Sequence, residues 1–307
     1  MSVAVVFSGQ GNQHPAMLPW LHDDALLADM SARLRVPDWR AALADPAWAR
    51  MNAYAQPLIT ATALAAWSRI EPLLRAASIE VDGLAGYSVG ELAACSAAGV
   101  FAADEAIRLA ALRAALMDEA ALARPGGLCG VTGLAAVDIE SVLRNTPVSI
   151  AIRNGEDSVV IGGPLGAEGL DAAEAALAAR GARCTRLAVS IASHTSLMRA
   201  ASEAFAASLL DVGTQTPVLP LFDSDGNRSW NADRVRAGLS RQIAATVRWD
   251  EVMDQLAARG PSCVLEIGGG QALARLWQQR HAAIPARSAD EFRTLDGVLA
   301  WIERCAA

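Results

Sequence analysis

The sequence predicts an α/β protein, a large domain around a parallel sheet with a smaller domain inserted into it. Three observations carry this. Short apolar runs alternate with alanine-rich stretches of helical length along the chain. A G-x-S-x-G pentapeptide, Gly86-Tyr87-Ser88-Val89-Gly90, stands between an apolar run and a small-residue helix. From about residue 125 to 191 the rhythm changes to short strand and helix signals in the order βαββαβ. The 307 residues suffice for one large domain with an insertion, and 53% hydrophobic residues supply a sizeable core.

In chain order, Val3–Phe7 reads as a first strand running into a glycine turn, Ser8-Gly9-Gln10-Gly11. A helix is expected from Pro57, a favoured first-turn residue, to about Ile70. Val81–Ala85 is the strand that leads to Ser88, and Glu91–Ala98 the helix that leaves it; strand, sharp turn and helix make the large domain α/β-hydrolase-like. A long amphipathic helix covers Asp104–Ala123. In the insertion, Leu128–Leu134, Val148–Ile152, Ser158–Ile161 and Ala182–Val189 read as strands, and Val137–Arg144 and Ala167–Arg180 as helices, with Asn154-Gly155 as a turn signal. That order is the ferredoxin-like split unit. The chain re-enters the large domain at Ser193-His194 and finishes with strand Cys263–Ile267, a glycine turn and a helix from Ala272. The expected division is 1–124 with 192–307 for the large domain and 125–191 for the small one.

Composition removes several function classes. The chain has no lysine, so all 26 basic residues are arginine. That excludes a Walker A phosphate loop, a pyridoxal Schiff base and any lysine nucleophile. A net charge of −7 without a basic tract argues against nucleic-acid binding. The long uncharged run Met51–Ser68 contains Asn52, Gln56 and Pro57 and reads as a buried helix, not a membrane span. Five scattered cysteines without a C-x-x-C pair, behind an N-terminus that reads as a core strand, lead us to expect reduced thiols in the cytoplasm. No H-x-x-x-H or H-E-x-x-H pair is present, so no metal site is expected.

Ser88 is the candidate nucleophile. A serine on a tight strand-to-helix turn exposes its hydroxyl, and the N–H of Val89 opens the helix where an oxyanion would develop. The pattern arises by chance in roughly one chain in ten of this glycine content, so its surroundings must carry the argument. A serine hydroxyl also needs a positioned base, usually histidine. Of the four histidines, His22 lies in an acidic stretch and His281 near the end of an arginine-bearing helix, where we expect solvent. His14 follows the first glycine turn. His194, at the point of re-entry, is the best placed. Arg113 is a charge in the middle of a helix whose surrounding positions are almost all alanine, leucine or methionine. It either meets an anion in a crevice or pairs on the surface with Asp118, Glu119 or Glu105.

With these residues in place, the chain resembles the malonyl-CoA:acyl carrier protein transacylase family over nearly its full length. Phe7–Gln13 is similar to that family's F-P-G-Q-G-x-Q opening, with Ser8 for proline. Gly86–Glu91 resembles G-H-S-x-G-E, with Tyr87 for histidine. Ile107–Met117 resembles the helix that carries a substrate-binding arginine four residues before a methionine. Ser193–Met198 resembles S-H-x-x-L-M, and Glu266–Gly270 resembles E-I-G-P-G with Gly269 for proline. The resemblance implies Ser88 as nucleophile, His194 as base, and the N–H groups of Gln10 and Val89 as oxyanion hole. It implies that Arg113 holds the free carboxylate of malonate and that the Gln242 carbonyl orients the histidine. Gln56 and Asn154 match positions that line or support the pocket, though each reads equally well as a helix-entry or turn residue. The resemblance also implies that Tyr87 lies beside the acyl pocket, where a phenol offers a hydrogen bond but no positive charge at neutral pH.

The G-Y-S-V-G-E variant and Gln10–Met17 are most similar to the epsilon subunit of biotin-independent malonate decarboxylase. The activity implied by this resemblance is ping-pong transfer of malonyl from CoA, through a malonyl-serine ester, to the phosphopantetheine thiol of a carrier protein, with no bound cofactor. The carrier would be acidic, docking on an arginine-bearing face between residues 234 and 293, and other malonate decarboxylase subunits are expected partners. Three alternatives stay open: a malonyl transacylase of fatty-acid or polyketide synthesis, a serine thioesterase or other hydrolase, and a non-catalytic docking subunit.

Overall fold

The computed structural model describes residues 2–189 and 191–305. Met1, Ser190 and the last two residues, which the expected domain ranges included, lie outside them. The chain runs β1 (Ser2–Phe7), three short helices α1 (Ala25–Leu34), α2 (Trp39–Ala42) and α3 (Pro46–Arg50), then the long α4 (Asn52–Ala76). Next come β2 (Glu80–Gly86), α5 (Gly90–Ala97) and α6 (Ala103–Ala123). The middle section is β3 (Gly126–Thr132), α7 (Ala136–Leu143), β4 (Ser149–Arg153), β5 (Ser158–Pro164), α8 (Leu170–Ala178) and β6 (Arg183–Arg186). The remainder is α9 (Arg199–Leu209), β7 (Leu221–Phe222), α10 (Ala232–Arg241), β8 (Val247–Arg248), α11 (Trp249–Ala257), β9 (Cys263–Ile267), α12 (Ala272–Arg280), β10 (Ala286–Ser288) and α13 (Leu295–Cys305).

Two five-stranded sheets result. The first, in the order β10-β9-β1-β2-β7, is parallel throughout. Side-chain alternation along β1 sorts its residues between two layers. Val3, Val5 and Phe7 join the core under α4, α5 and α6, while Ala4 and Val6 join the opposite core with Val252 and Leu256 of α11 and Trp277 of α12. Burial on both faces explains why the strands read as continuous apolar runs. The turns that follow β1, β2 and β9 therefore gather at the carboxyl edge of one sheet, where open α/β sheets place their ligands.

The second sheet has the order β6-β3-β5-β4-β8. Its first four strands are antiparallel, the expected βαββαβ unit, with α7 and α8 covering the face that carries Cys129, Val131, Val159 and Ile161. Leu128, Ile152 and Val160 point the other way and merge with the α11–α12 core of the large sheet. The fifth strand is supplied from outside the unit, by Val247 and Arg248 pairing parallel to Ile152 and Arg153.

Two element expectations need correction. The helix expected from Pro57 starts at Asn52, and both Pro57 and Pro72 lie inside it. Sixteen of its residues are buried, Ala55 through Trp67 without a break, and that burial outweighs the lost backbone bonds. The strand expected over Ala182–Val189 is only Arg183–Arg186, paired with Cys129 to Thr132 of β3, and one further bond, from the Leu187 N–H to the Leu128 carbonyl at 2.9 Å, ends the pairing. Its continuation, Leu187-Ala188-Val189, lines a cleft instead.

Candidate active site

Ser88 sits on the turn between β2 and α5 with φ at 56°, the left-handed region that a non-glycine residue enters only when its surroundings force it. The flanking glycines make that turn. A Cβ on Gly86 would lie 2.1 Å from the Gly90 carbonyl carbon, and one on Gly90 would lie 2.3 Å from the Phe7 carbonyl oxygen. No larger residue fits, so the turn packs directly on the end of β1.

His194 arrives from the other side of the crevice, also at positive φ, 62°, with its N–H bonded to the Ile243 carbonyl at 2.9 Å. Its Nδ1 is 2.5 Å from the Gln242 carbonyl oxygen and its Nε2 is 2.8 Å from Ser88 Oγ. A carbonyl only accepts, so Nδ1 carries the proton and Nε2 keeps a lone pair toward the serine. Burial, then the Arg113 charge, push the imidazole down to about 3 against the opposing pull of the Gln242 carbonyl. The ring is therefore neutral at pH 7 and able to receive a proton.

Arg113 comes from the middle of α6 and is 2% exposed. None of the surface partners considered for it is used. Asp118 takes the Asn52 amide and Glu105 pairs with Arg108. The guanidinium donates instead to three neutral oxygens: Gln56 Oε1 at 2.8 Å, Gln242 Oε1 at 3.2 Å and Ser88 Oγ at 3.2 Å. Its Nε finds no partner among the described residues. Burial lowers its pKa to about 10, which leaves it charged at neutral pH. A buried cation without a carboxylate is costly, and the unfilled donor capacity marks where an anion would be welcome.

Gln242 serves three neighbours. Its carbonyl receives His194, its Oε1 receives Arg113, and its Nε2 donates to the Ser88 carbonyl at 2.9 Å. Gln10 and Val89 both line the cleft with Ser88, and neither N–H donates to another backbone group among the described residues. The cleft, of about 810 Å³, is also lined by Gln56, Tyr87, Arg113, Asn154 and His194. Of the residues to which the resemblance assigns a place in the site, all border this crevice except Gln242. Tyr87 donates its hydroxyl to Asn154 Oδ1 at 3.0 Å, and burial raises its pKa further above the usual phenol range.

Sequence reasoning missed the supports of this arrangement. Ser8, noted only as a replacement for proline, donates its N–H to the Ile267 carbonyl at 3.0 Å and its hydroxyl to Glu266 at 2.7 Å. Proline offers neither bond. Burial pushes Glu266 up to about 7, and Glu91, hydrogen-bonded to Ser224, up to about 8. Asp290 ties the glycine turn after β9 to the segment after β1, accepting from Gly270 N at 2.7 Å, from Leu18 N and from His14. No local pattern announces such long-range contacts. His281, expected in solvent, is half-buried against Trp277 and bonded to Asp254 at 3.0 Å.

The arginines of the expected docking face are mostly paired. Of the nine arginines between residues 234 and 293, six lie in ion pairs: Arg236, Arg241, Arg248, Arg259, Arg280 and Arg287. Arg234 stacks on Trp230, and only Arg275 of the nine lines the cleft. Most of these charges are therefore already paired with a carboxylate among the described residues.

An alcohol within reach of a neutral imidazole, in a crevice with a buried guanidinium, is an arrangement that can carry acyl transfer through a serine. The chain belongs to the acyl transferase family: the acyl transferase domain pattern matches residues 46–288. It is an acyltransferase. A malonyl CoA-acyl carrier protein transacylase of Mycobacterium tuberculosis is 31% identical over 300 residues, covering 96% of this chain and 98% of that one. The solved malonyl CoA-acyl carrier protein transacylase of Coxiella burnetii superposes with a TM-score of 0.89 at 27% identity, covering 100% and 98% of the two chains. A malonyl-transacylase solved in complex with its type II PKS acyl-carrier protein superposes at 0.88 with 29% identity, covering 98% of this chain and 99% of that one. Among the described residues no helix is long and apolar enough to cross a membrane.

Proposed function

We propose that the protein moves a malonyl group from CoA to the phosphopantetheine thiol of a carrier protein through an ester on Ser88. One observation carries the reading: a buried cation without a carboxylate partner, 3.2 Å from a serine oxygen that is itself 2.8 Å from an imidazole nitrogen. The names of the relatives and the solved carrier complex support the same substrates.

Ser88 Oγ attacks the thioester carbonyl while its proton passes to His194 Nε2. The N–H groups of Gln10 and Val89 hold the resulting oxyanion. On collapse the carbon–sulfur bond breaks and CoA leaves as its thiol, with the proton that His194 took. A carrier thiol then attacks the malonyl ester by the reverse sequence, and the proton returns to Ser88. The Gln242 carbonyl steadies the imidazolium at each half-reaction. Arg113 grips the distal carboxylate, and an acetyl group would leave that cation unmatched. The carboxylate also cancels part of the positive field that suppresses His194, so the correct substrate strengthens the base that will act on it.

The finer reading is that the carrier belongs to a malonate decarboxylase, with that enzyme's other subunits as partners. It is supported by Tyr87 before the nucleophile and by the Gln10–Met17 segment. Intact-mass measurement after incubation with malonyl-CoA tests the first half-reaction. The expected result is an adduct of roughly 86 Da, lost in Ser88→Ala, and its absence from the wild-type chain rejects the proposal. Arg113→Ala should shift loading from malonyl toward acetyl. Transfer rates to a malonate-decarboxylase carrier and a fatty-acid carrier, measured side by side, decide the finer point, and a preference for the latter overturns it.

A further inference from the structure

The reacting groups stand on the parallel-sheet side of the cleft, while Leu128, Ile152, Asn154 and Val160 from the second sheet form the facing wall. The spacing between the two walls decides which acyl group fits. Among the described residues a single hydrogen bond joins the nucleophile turn to the second sheet, from the Tyr87 hydroxyl to Asn154 Oδ1. A second side-chain bond onto that sheet from the large domain, Thr246 Oγ1 to the Ile150 carbonyl at 2.7 Å, lies where β8 joins. Tyr87 has little room to follow a moving partner. Its ring meets the buried Trp249 edge-on, centroids 5.2 Å apart, and a Cβ at Gly9 would stand 3.0 Å from the same ring. Asn154 is likewise held, its N–H bonded to the Ser158 carbonyl at 2.9 Å across the β4–β5 turn. Two fixed ends make a bond that exists at one wall spacing only.

We propose that the Tyr87–Asn154 hydrogen bond is a latch that sets the cleft to the width of an unbranched acyl group, making Tyr87 a positioning residue that determines acyl specificity. The inference rests on acyl loading of Ser88 as read above. With the latch closed, a substituent on the carbon beside the thioester carbonyl meets the second wall. With it open, the wall retreats and the branched group enters.

The test compares wild type, Tyr87→Phe, Asn154→Ala, the double variant and Tyr87→His in the full-length chain. Ser88 loading from malonyl-CoA and methylmalonyl-CoA is followed by intact mass, with thermal unfolding to establish that each variant is folded. Each single variant should raise the methylmalonyl-to-malonyl ratio of kcat/KM about five-fold, the factor expected for one broken hydrogen bond. The double variant should add nothing further, and Tyr87→His, with an imidazole N–H in place of the phenol, should restore the ratio in part. Amide exchange at residues 154–158 should quicken in Tyr87→Phe. An unchanged ratio, equal losses with both substrates, or additive effects of the two substitutions would overturn the latch. If the wild-type chain accepts neither acyl group, the loading reading fails on its own. The exchange measurement then still decides whether the bond restrains the second sheet.

Discussion

The arginines of this chain live in two environments, and the contrast between them separates machinery from scaffold. On α10, β8 and α12, Arg236, Arg248 and Arg280 each meet a carboxylate within 2.7 Å and remain partly in solvent. Such pairs contribute little, because water already screens the charges they join. Arg113 is buried, and its partners are two amide oxygens and a hydroxyl. A protein gains no stability from a buried cation held that way. The difference teaches where to look for a substrate: the cation that matters is the one whose neighbours can orient it and cannot neutralise it.

The comparison breaks most severely where the proposed nucleophile or its base is removed. Ser88→Ala or His194→Ala should lower acyl transfer by ~10⁴ or more, with the guanidinium still in place, measured as CoA release with a carrier thiol present. Gln56→Glu sharpens it by giving Arg113 the carboxylate it lacks. Malonyl loading should fall by roughly 10², and the acetyl-to-malonyl ratio should rise, because the internal carboxylate competes for the same fork. The same cation acts on His194, held near 3, so kcat/KM for loading should stay level from about pH 8 to about pH 5. An acid limb centred on the ordinary histidine value of about 6.5 would contradict the buried, cation-facing site.

Glu91 is the acidic counterpart, with burial pushing its carboxyl up to about 8. A carboxyl with a raised folded-state pKa stabilises the fold while protonated, and that contribution is lost as pH rises through the folded value. Glu91→Gln should therefore raise Tm by a few degrees at about pH 9 and make less difference at about pH 5, followed by thermal unfolding. The smallest effects belong to the outer arginines. Arg275→Gln, at the cleft, should raise the KM for carrier a few-fold in a salt-dependent manner, while Arg236→Gln, already paired, should leave it unchanged.

The legible parts of this molecule were those with a local cause. The turn at Ser88 is written in two glycines between an apolar strand and a small-residue helix, and the βαββαβ order comes from element periodicity alone. Strand β9 and the start of α12 lie where the apolar run and glycine turn place them. The two-residue strands β7 and β8 are too short for alternation to register. The early start of α4 was hidden because Pro57 mimics a first-turn signal, and only the core around it reveals otherwise. The environments of the arginines were legible in part. Arg236 finds Asp233 one turn away, whereas Arg259 reaches Asp82 across the fold, a contact that no sequence spacing encodes.

Gln242 divides its labour between main chain and side chain, and the division has a practical result. Every amino acid brings a carbonyl oxygen, so no substitution at this position deletes the acceptor facing His194 Nδ1. What a replacement alters is the amide that holds the arginine fork and the nucleophile's own carbonyl. A change of side chain at position 242 should therefore loosen both Arg113 and the Ser88 backbone, while the acceptor that fixes the imidazole tautomer comes with any residue placed there.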